Sequence, residues 1–186
     1  MDEIELVAEE AEEAMEKNLA HLSRELAKIS TGKASPMVVK DLPVNYYGSP
    51  TPMNQVANIA SSDSRSLVIQ PWEKSMLGPI EKAIFEANLG VTPMNDGEVV
   101  RLSFPPLTEE RRRDLVKKAK ALGEDARVSS RSSRREAMEN IRKAVKDGFS
   151  EDEGKMLEDK VQQITDRFMR RIDDALEAKE KEIMTV

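Results

Sequence analysis

The sequence predicts an α+β protein of two domains, a long three-helix bundle with a small β/α/β domain inserted between its first and second helices. Three observations predict it. Apolar residues recur every three or four positions over most of the first thirty residues and again from Thr108 onward. All nine prolines fall between those stretches, seven of them (Pro36, Pro43, Pro50, Pro52, Pro71, Pro79 and Pro93) within the middle segment and Pro105-Pro106 at its end. Both tyrosines and the single tryptophan lie there too, among short apolar runs of strand length.

The first helix is read from Ile4, Val7, Ala11, Met15, Leu19, Leu22, Leu26 and Ile29, which share one face. In the middle segment, Val44–Tyr47, Gln55–Ile59, Leu67–Gln70 and Val99–Phe104 read as strands. Tyr47-Gly48-Ser49-Pro50 and Asn95-Asp96-Gly97 read as turns. Ser75 is placed as the cap of one helix, with Leu77, Ile80 and Ile84 inward and Gly90 just past its end. Pro105-Pro106 blocks helix upstream of Thr108, a good N-cap, and Glu109 and Glu110 suit the positive end of the helix dipole. The second long helix carries its seam on Leu115, Ala119, Leu122, Ala126, Ser130, Ser133, Ala137, Ile141 and Val145 and ends at Gly148. Ser150-Glu151-Asp152-Glu153 has the form of a capping box and starts the third, seamed by Leu157, Val161, Ile164, Phe168, Ile172, Leu176 and Ile183. The short corner at Gly148 makes the last two helices antiparallel neighbours.

The bundle is therefore assigned to residues 1–30 and 106–186, and the inserted domain to 31–105. The chain crosses between them twice, through Ser30, Thr31, Gly32 and Lys33 and through Phe104, Pro105, Pro106 and Leu107. Two crossings with little else in contact predict a hinge.

Composition excludes much chemistry. Without cysteine there is no disulfide, thiolate metal site or thiol nucleophile. One histidine, His21, leaves no multi-histidine metal site and disfavours a histidine-based triad. Gly148 to Gly154-Lys155 is one residue too long for a phosphate-binding loop and has Met156 where Ser or Thr would hold magnesium. No nucleophile–base pair marks the middle domain. We expect no catalysis, no cofactor and no metal. No apolar run reaches the length of a membrane span, and the acidic N-terminus does not fit a targeting segment, so a cytosolic protein, monomeric and not membrane-bound, is expected.

Charge is unevenly placed. Residues 111–147 carry 13 Lys and Arg against six Asp and Glu, a local +7 in a chain of −6. The first fifteen residues hold seven acids and no base. An acidic protein is not drawn to nucleic acid in general, but a basic stripe confined to one helix can bind phosphate locally. Arg127, Arg131 and Arg134, spaced i, i+4, i+7, share a face, with Arg135 beside them and Arg142 extending the line. Few acids interrupt the face, so these residues are expected to be free of pairing within the helix. Guanidinium forks match phosphate oxygens, and a long helix bearing them suits a folded RNA surface recognised by shape and backbone.

Several stretches in unbroken order resemble the ribosome recycling factor family. They are Thr31-Gly32-Lys33-Ala34-Ser35-Pro36, Tyr46-Tyr47-Gly48-Ser49-Pro50-Thr51-Pro52, Ile69-Gln70-Pro71-Trp72, Ile80-Glu81-Lys82-Ala83-Ile84 and Asn88-Leu89-Gly90. They continue with Pro105-Pro106-Leu107-Thr108-Glu109-Glu110-Arg111-Arg112, the cluster Arg131-Ser132-Ser133-Arg134-Arg135, and Lys179-Glu180-Lys181-Glu182-Ile183-Met184. The resemblance implies an L-shaped, tRNA-like outline. It implies a factor that acts with elongation factor G and GTP to split the post-termination ribosome into subunits, with its bundle along large-subunit rRNA near the subunit interface. By motif match it implies rRNA contacts at Arg131, Arg134 and Arg135, with Arg134 foremost, and a basic hinge position at Lys33. Ser30 and Lys33 stand where the family commonly has Arg, and Ser132 and Ser133 where Asn and an aliphatic residue are usual. A competing reading from charge alone is a coiled-coil adaptor whose charged faces pair with another helical protein.

Overall fold

The structure is a computed structural model and describes residues 3–29 and 31–185. The chain divides into two compact units, Met1–Ile29 with Glu109–Val186, and Ser30–Thr108.

The first unit is built from three helices, α1 (Val7–Ala27), α3 (Glu109–Lys146) and α4 (Glu151–Met184). A 3-10 turn over Glu3–Leu6 precedes α1, so the first residues of the predicted helix are wound more tightly than the rest. Each helix has one apolar stripe and touches the other two, which is how three amphipathic helices remove their stripes from water. Val7, Ala11, Met15, Leu19, Leu22 and Leu26 from α1 meet Leu115, Ala119, Ala126, Ala137 and Ile141 from α3 and Val161, Ile164, Phe168, Ile172, Leu176 and Ile183 from α4.

Small residues set how closely α3 approaches. Gly123 is buried, and a Cβ there would lie 2.2 Å from Cδ1 of Leu176. The predicted seam omits it and includes Leu122 and Val145, which are only half-buried. Ser133 is also half-buried, and its hydroxyl donates to the Ser129 carbonyl at 3.1 Å, so it spans the edge of the seam and does not fill it. Ser130 is wholly buried, and its hydroxyl has no partner among the described residues.

The corner between α3 and α4 explains their register. Gly148 has φ +108°, conformational space that side chains with a Cβ avoid. Its N–H donates to the Val145 carbonyl at 3.2 Å, and the Phe149 N–H donates to that of Ala144 at 2.9 Å, the paired bonds of a Schellman motif. Ser150 then caps α4, its hydroxyl accepting from the Glu153 N–H at 3.4 Å.

Among the described residues, the second unit contains six strands and one α-helix, with short 3-10 turns between them. Strands β1 (Pro43–Tyr46) and β2 (Ser49–Pro52) form a hairpin, and β3 (Ala57–Asp63), β4 (Ser66–Pro71), β6 (Val100–Ser103) and β5 (Pro93–Asn95) form an antiparallel sheet in the order β3-β4-β6-β5. Helix α2 (Leu77–Ala87) lies against both β1 and β5. Leu67 and Ile69 of β4, Val100 and Leu102 of β6, and Ile80 and Ile84 of α2 form its core with Val39, Val44 and Met53. Period-two alternation puts Leu67 and Ile69 on the same inner face.

Four expectations need correction here. Strands β2 and β5 are additions, since Pro50, Pro52 and Pro93 hid them; each lies at an edge, where a missing N–H costs no ladder bond. The predicted strand at Gln55 begins at Ala57, because Met53–Gln55 form a 3-10 turn. Ser75 does not cap α2; it lies within a 3-10 turn over Lys74–Met76, and Met76 holds the N-cap position with no side-chain bond. The helix also stops at Asn88, left-handed at φ +54°, two residues before Gly90.

Candidate nucleic-acid interface

The basic face lies on α3, where the helical repeat brings Arg127, Arg131 and Arg134 onto one side. The structure distinguishes these residues more sharply than spacing does. Arg127 is largely committed to the fold. Its Nη2 donates to Asp173 Oδ1 of α4 at 2.5 Å, its Nε to the same oxygen at 3.2 Å, and its Nη1 to Glu124 Oε2 at 3.4 Å. The Asp173 hydrogen bond, foremost, holds its guanidinium more firmly protonated than usual against the opposing effect of burial. Arg131 Nη1 reaches Glu124 Oε1 at 3.3 Å. Arg134 is half-buried and gives one bond, Nη1 to Gln162 Oε1 of α4 at 3.3 Å, to a neutral partner. Arg135 is exposed and makes no ion pair among the described residues.

The expectation of a face free of pairing within its own helix is therefore corrected. Glu124, seven residues before Arg131 and three before Arg127, holds both. That carboxylate was visible in the sequence. Asp173 becomes readable once the helical hairpin is folded about Ser150, because each α3–α4 ion pair lies equally far on either side. Arg142–Glu158 is eight residues out, Arg127–Asp173 is 23 and Lys120–Glu180 is 30.

The pairs differ in what they leave over. A guanidinium has five N–H donors. Arg127 spends three, whereas Arg131 and Arg134 each spend one and Arg135 none among the described residues. Arg134 keeps its charge uncompensated because Gln162 is neutral, and Gln162 is itself held by its bond to Asp166 Oδ1 at 2.9 Å. The remaining donors can bind phosphate oxygens in forked pairs.

A second charged seam lies between α1 and α4. Arg167 pairs with Glu12, and Arg171 Nη1 with Glu16 Oε2 at 3.0 Å. Both guanidinium groups lie over the buried Phe168 ring, at 5.5 and 5.0 Å. The acidic N-terminal stretch thus has local partners on α4.

The hinge residues are unequally placed within the second unit. Ser30 lies outside the described residues. Gly32 has φ +76°, and a Cβ there would meet Leu107 Cγ at 3.2 Å, so the two crossing segments touch. Lys33, Pro105 and Pro106 are exposed, and Thr31 and Leu107 are half-buried. Phe104 belongs to the core, 6% exposed. The Ala34 N–H donates to the Ser64 carbonyl at 2.8 Å and the Phe104 N–H to that of Arg65 at 2.7 Å, so one hairpin pins both segments.

Among the described residues, no group of three or more His, Asp and Glu could hold a metal ion, and no helix is long and apolar enough to cross a membrane. The fold and its charged face define a helical-bundle protein that presents unspent guanidinium donors to solvent. Residues 22–184 match the family described as Ribosome recycling factor. The ribosome-recycling factor of Christiangramia forsetii is 52% identical over 186 residues, covering all of both chains, and that of Oleidesulfovibrio alaskensis is 50% identical over 178 residues, covering 95% of this chain and 97% of the other. The solution structure of a ribosome recycling factor aligns over the whole of both chains with a TM-score of 0.83 and 41% identity. A second neighbour, at a TM-score of 0.63 and 41% identity over 98% of this chain and 99% of its own, comes from models for the T. thermophilus ribosome recycling factor and the E. coli elongation factor G bound to the E. coli post-termination complex. The chain belongs to the ribosome recycling factor family.

Proposed function

We infer that this translation factor, with elongation factor G and GTP, splits the post-termination ribosome into subunits and frees it from mRNA. The observation that carries this reading is likeness over the whole chain, joined to a structural neighbour placed with elongation factor G on a post-termination complex. The place of action is then the compartment where ribosomes translate, the cytoplasm. The chain's contribution is mechanical and not catalytic. Arg131, Arg134 and Arg135 grip the rRNA backbone, while Arg127 secures the helix that carries them. The insert, residues 31–105, swings about residues 30–33 and 105–107, while Phe104 stays with the core of the small unit. Force from the GTPase on the insert is passed to the bundle, residues 1–30 and 106–186, and from there to the RNA between the subunits.

The test is subunit splitting with elongation factor G and GTP, with ribosome affinity measured in parallel. Arg134→Ala should lower affinity by roughly tenfold, one charge-assisted contact of about 1.5 kcal/mol, and reduce splitting while the far-ultraviolet spectrum is unchanged. Unaltered affinity would remove the anchor from this face.

A further inference from the structure

A second candidate site lies in the small unit. Tyr46, Thr51, Gln55, Val56, Trp72, Glu73 and Met76 line a pocket of about 260 Å³. Trp72 is 66% exposed, although large apolar side chains are usually covered. Glu73 is held by two phenols, Tyr46 Oη donating to its Oε1 at 2.9 Å and Tyr47 Oη to its Oε2 at 2.8 Å. The Tyr47 hydroxyl is also 3.2 Å from Ser75 Oγ, and the two tyrosine rings meet edge to face at 4.8 Å.

The backbone is arranged to make this possible. Tyr47 has φ +49° and Gly48 φ +89°, so both central residues of the β1–β2 turn are left-handed. A non-glycine residue is uncommon there, and Tyr47 occupies it with its hydroxyl on Glu73. Asn45 Oδ1 secures the turn by accepting the Gly48 N–H at 2.7 Å.

The Glu73 carboxylate is exposed, fixed in orientation and pairs with no Lys or Arg among the described residues. Two aromatic walls beside an oriented, unneutralised carboxylate attract a cation by ring quadrupole and charge together. A planar guanidinium fits better than an ammonium, because it stacks on indole or phenol while its N–H fork reaches the carboxylate. The same carboxylate repels phosphate, so the complementary partner is a protein segment and not RNA.

We propose that the Tyr46–Trp72–Glu73 pocket is a docking site for an arginine side chain of a partner protein. The inference is independent of the arginine face on α3 and of ribosome binding.

Trp72 is the only tryptophan in the chain, so intrinsic fluorescence of the full-length protein reports on this pocket alone. The probe is acetyl-Gly-Gly-Arg-Gly-Gly-amide, with the neutral citrulline peptide of the same shape as control and spermidine as a non-peptide cation. The arginine peptide should change the emission saturably. Roughly tenfold weaker binding is expected for citrulline and for Glu73→Gln with the arginine peptide, and an intermediate loss for Tyr46→Phe, which keeps the ring. An absent response, equal binding of citrulline, or full binding by Glu73→Gln would overturn the proposal. Spermidine binding as tightly as the peptide would also overturn it, in favour of a free-polyamine site.

Discussion

At the scale of single residues, two small side chains inside the bundle have opposite expected effects. Gly123→Ala gains about 1 kcal/mol of helix propensity but drives a methyl into Leu176, whose Cγ and both Cδ atoms lie within 3 Å of the new carbon. Overpacking of this kind costs about 1–3 kcal/mol, and Leu176 is itself buried, so a net loss of stability is expected. Ser130→Ala removes a buried hydroxyl that lacks a partner among the described residues and should raise stability by about 1 kcal/mol. Urea unfolding of both variants checks the pair; stabilisation by Gly123→Ala would show that the α3–α4 contact is looser than drawn. A third residue gives a pH signature. Asp96 accepts the N–H groups of Val99 and Glu98, at 2.9 and 3.0 Å, and these bonds hold its carboxyl below the ordinary 3.8. Because the folded value is the lower one, the turn's contribution is complete above the unfolded value and disappears as pH falls through the folded value. The amide resonances of Glu98 and Val99 should therefore titrate with a midpoint under 3.8. A midpoint at or above it refutes the capping role.

At the scale of elements, the α3–α4 hairpin is held by an apolar seam and edged by ion pairs. These bridges are partly exposed, so each contributes modestly. The Arg127–Asp173 pair, with the arginine side chain 26% exposed, should contribute the most. A double-mutant cycle with Arg127→Ala and Asp173→Ala should return a coupling of about 0.5–1 kcal/mol. Arg135→Ala should leave stability unchanged in the same assay. A coupling near zero would mean that Arg127 is as free as its neighbours. The three long helices were legible from periodicity, and the corner from Gly148 and Ser150, because both signals are local. Strands β2 and β5 were not, since proline reads as a breaker until an edge position is known. The start of α2 was misread for a related reason: Ser75 has a capping side chain, but its hydroxyl lies against Tyr47 from the β1–β2 turn. For the candidate site, spacing found the arginine face. It could not rank the arginines, because Asp173 and Gln162 come from a helix more than twenty residues away in sequence.

At the scale of the whole molecule, the two units have separate cores, and the chain passes between them twice. The proposed swing concentrates motion in residues 30–33 and 105–107. A reversible cross-link joining those two segments should leave ribosome affinity intact while slowing subunit splitting, with recovery on reduction. Splitting at full speed by the cross-linked protein would rule out motion there. The hairpin that pins Ala34 through Ser64 and Phe104 through Arg65 bears on how such a molecule could arise. Entry and exit of the small unit are fastened to consecutive residues, so its two ends leave as neighbours. A guest with adjoining ends can be spliced into a helical host without stretching either, and a lineage could trade one guest for another while the host stayed the same.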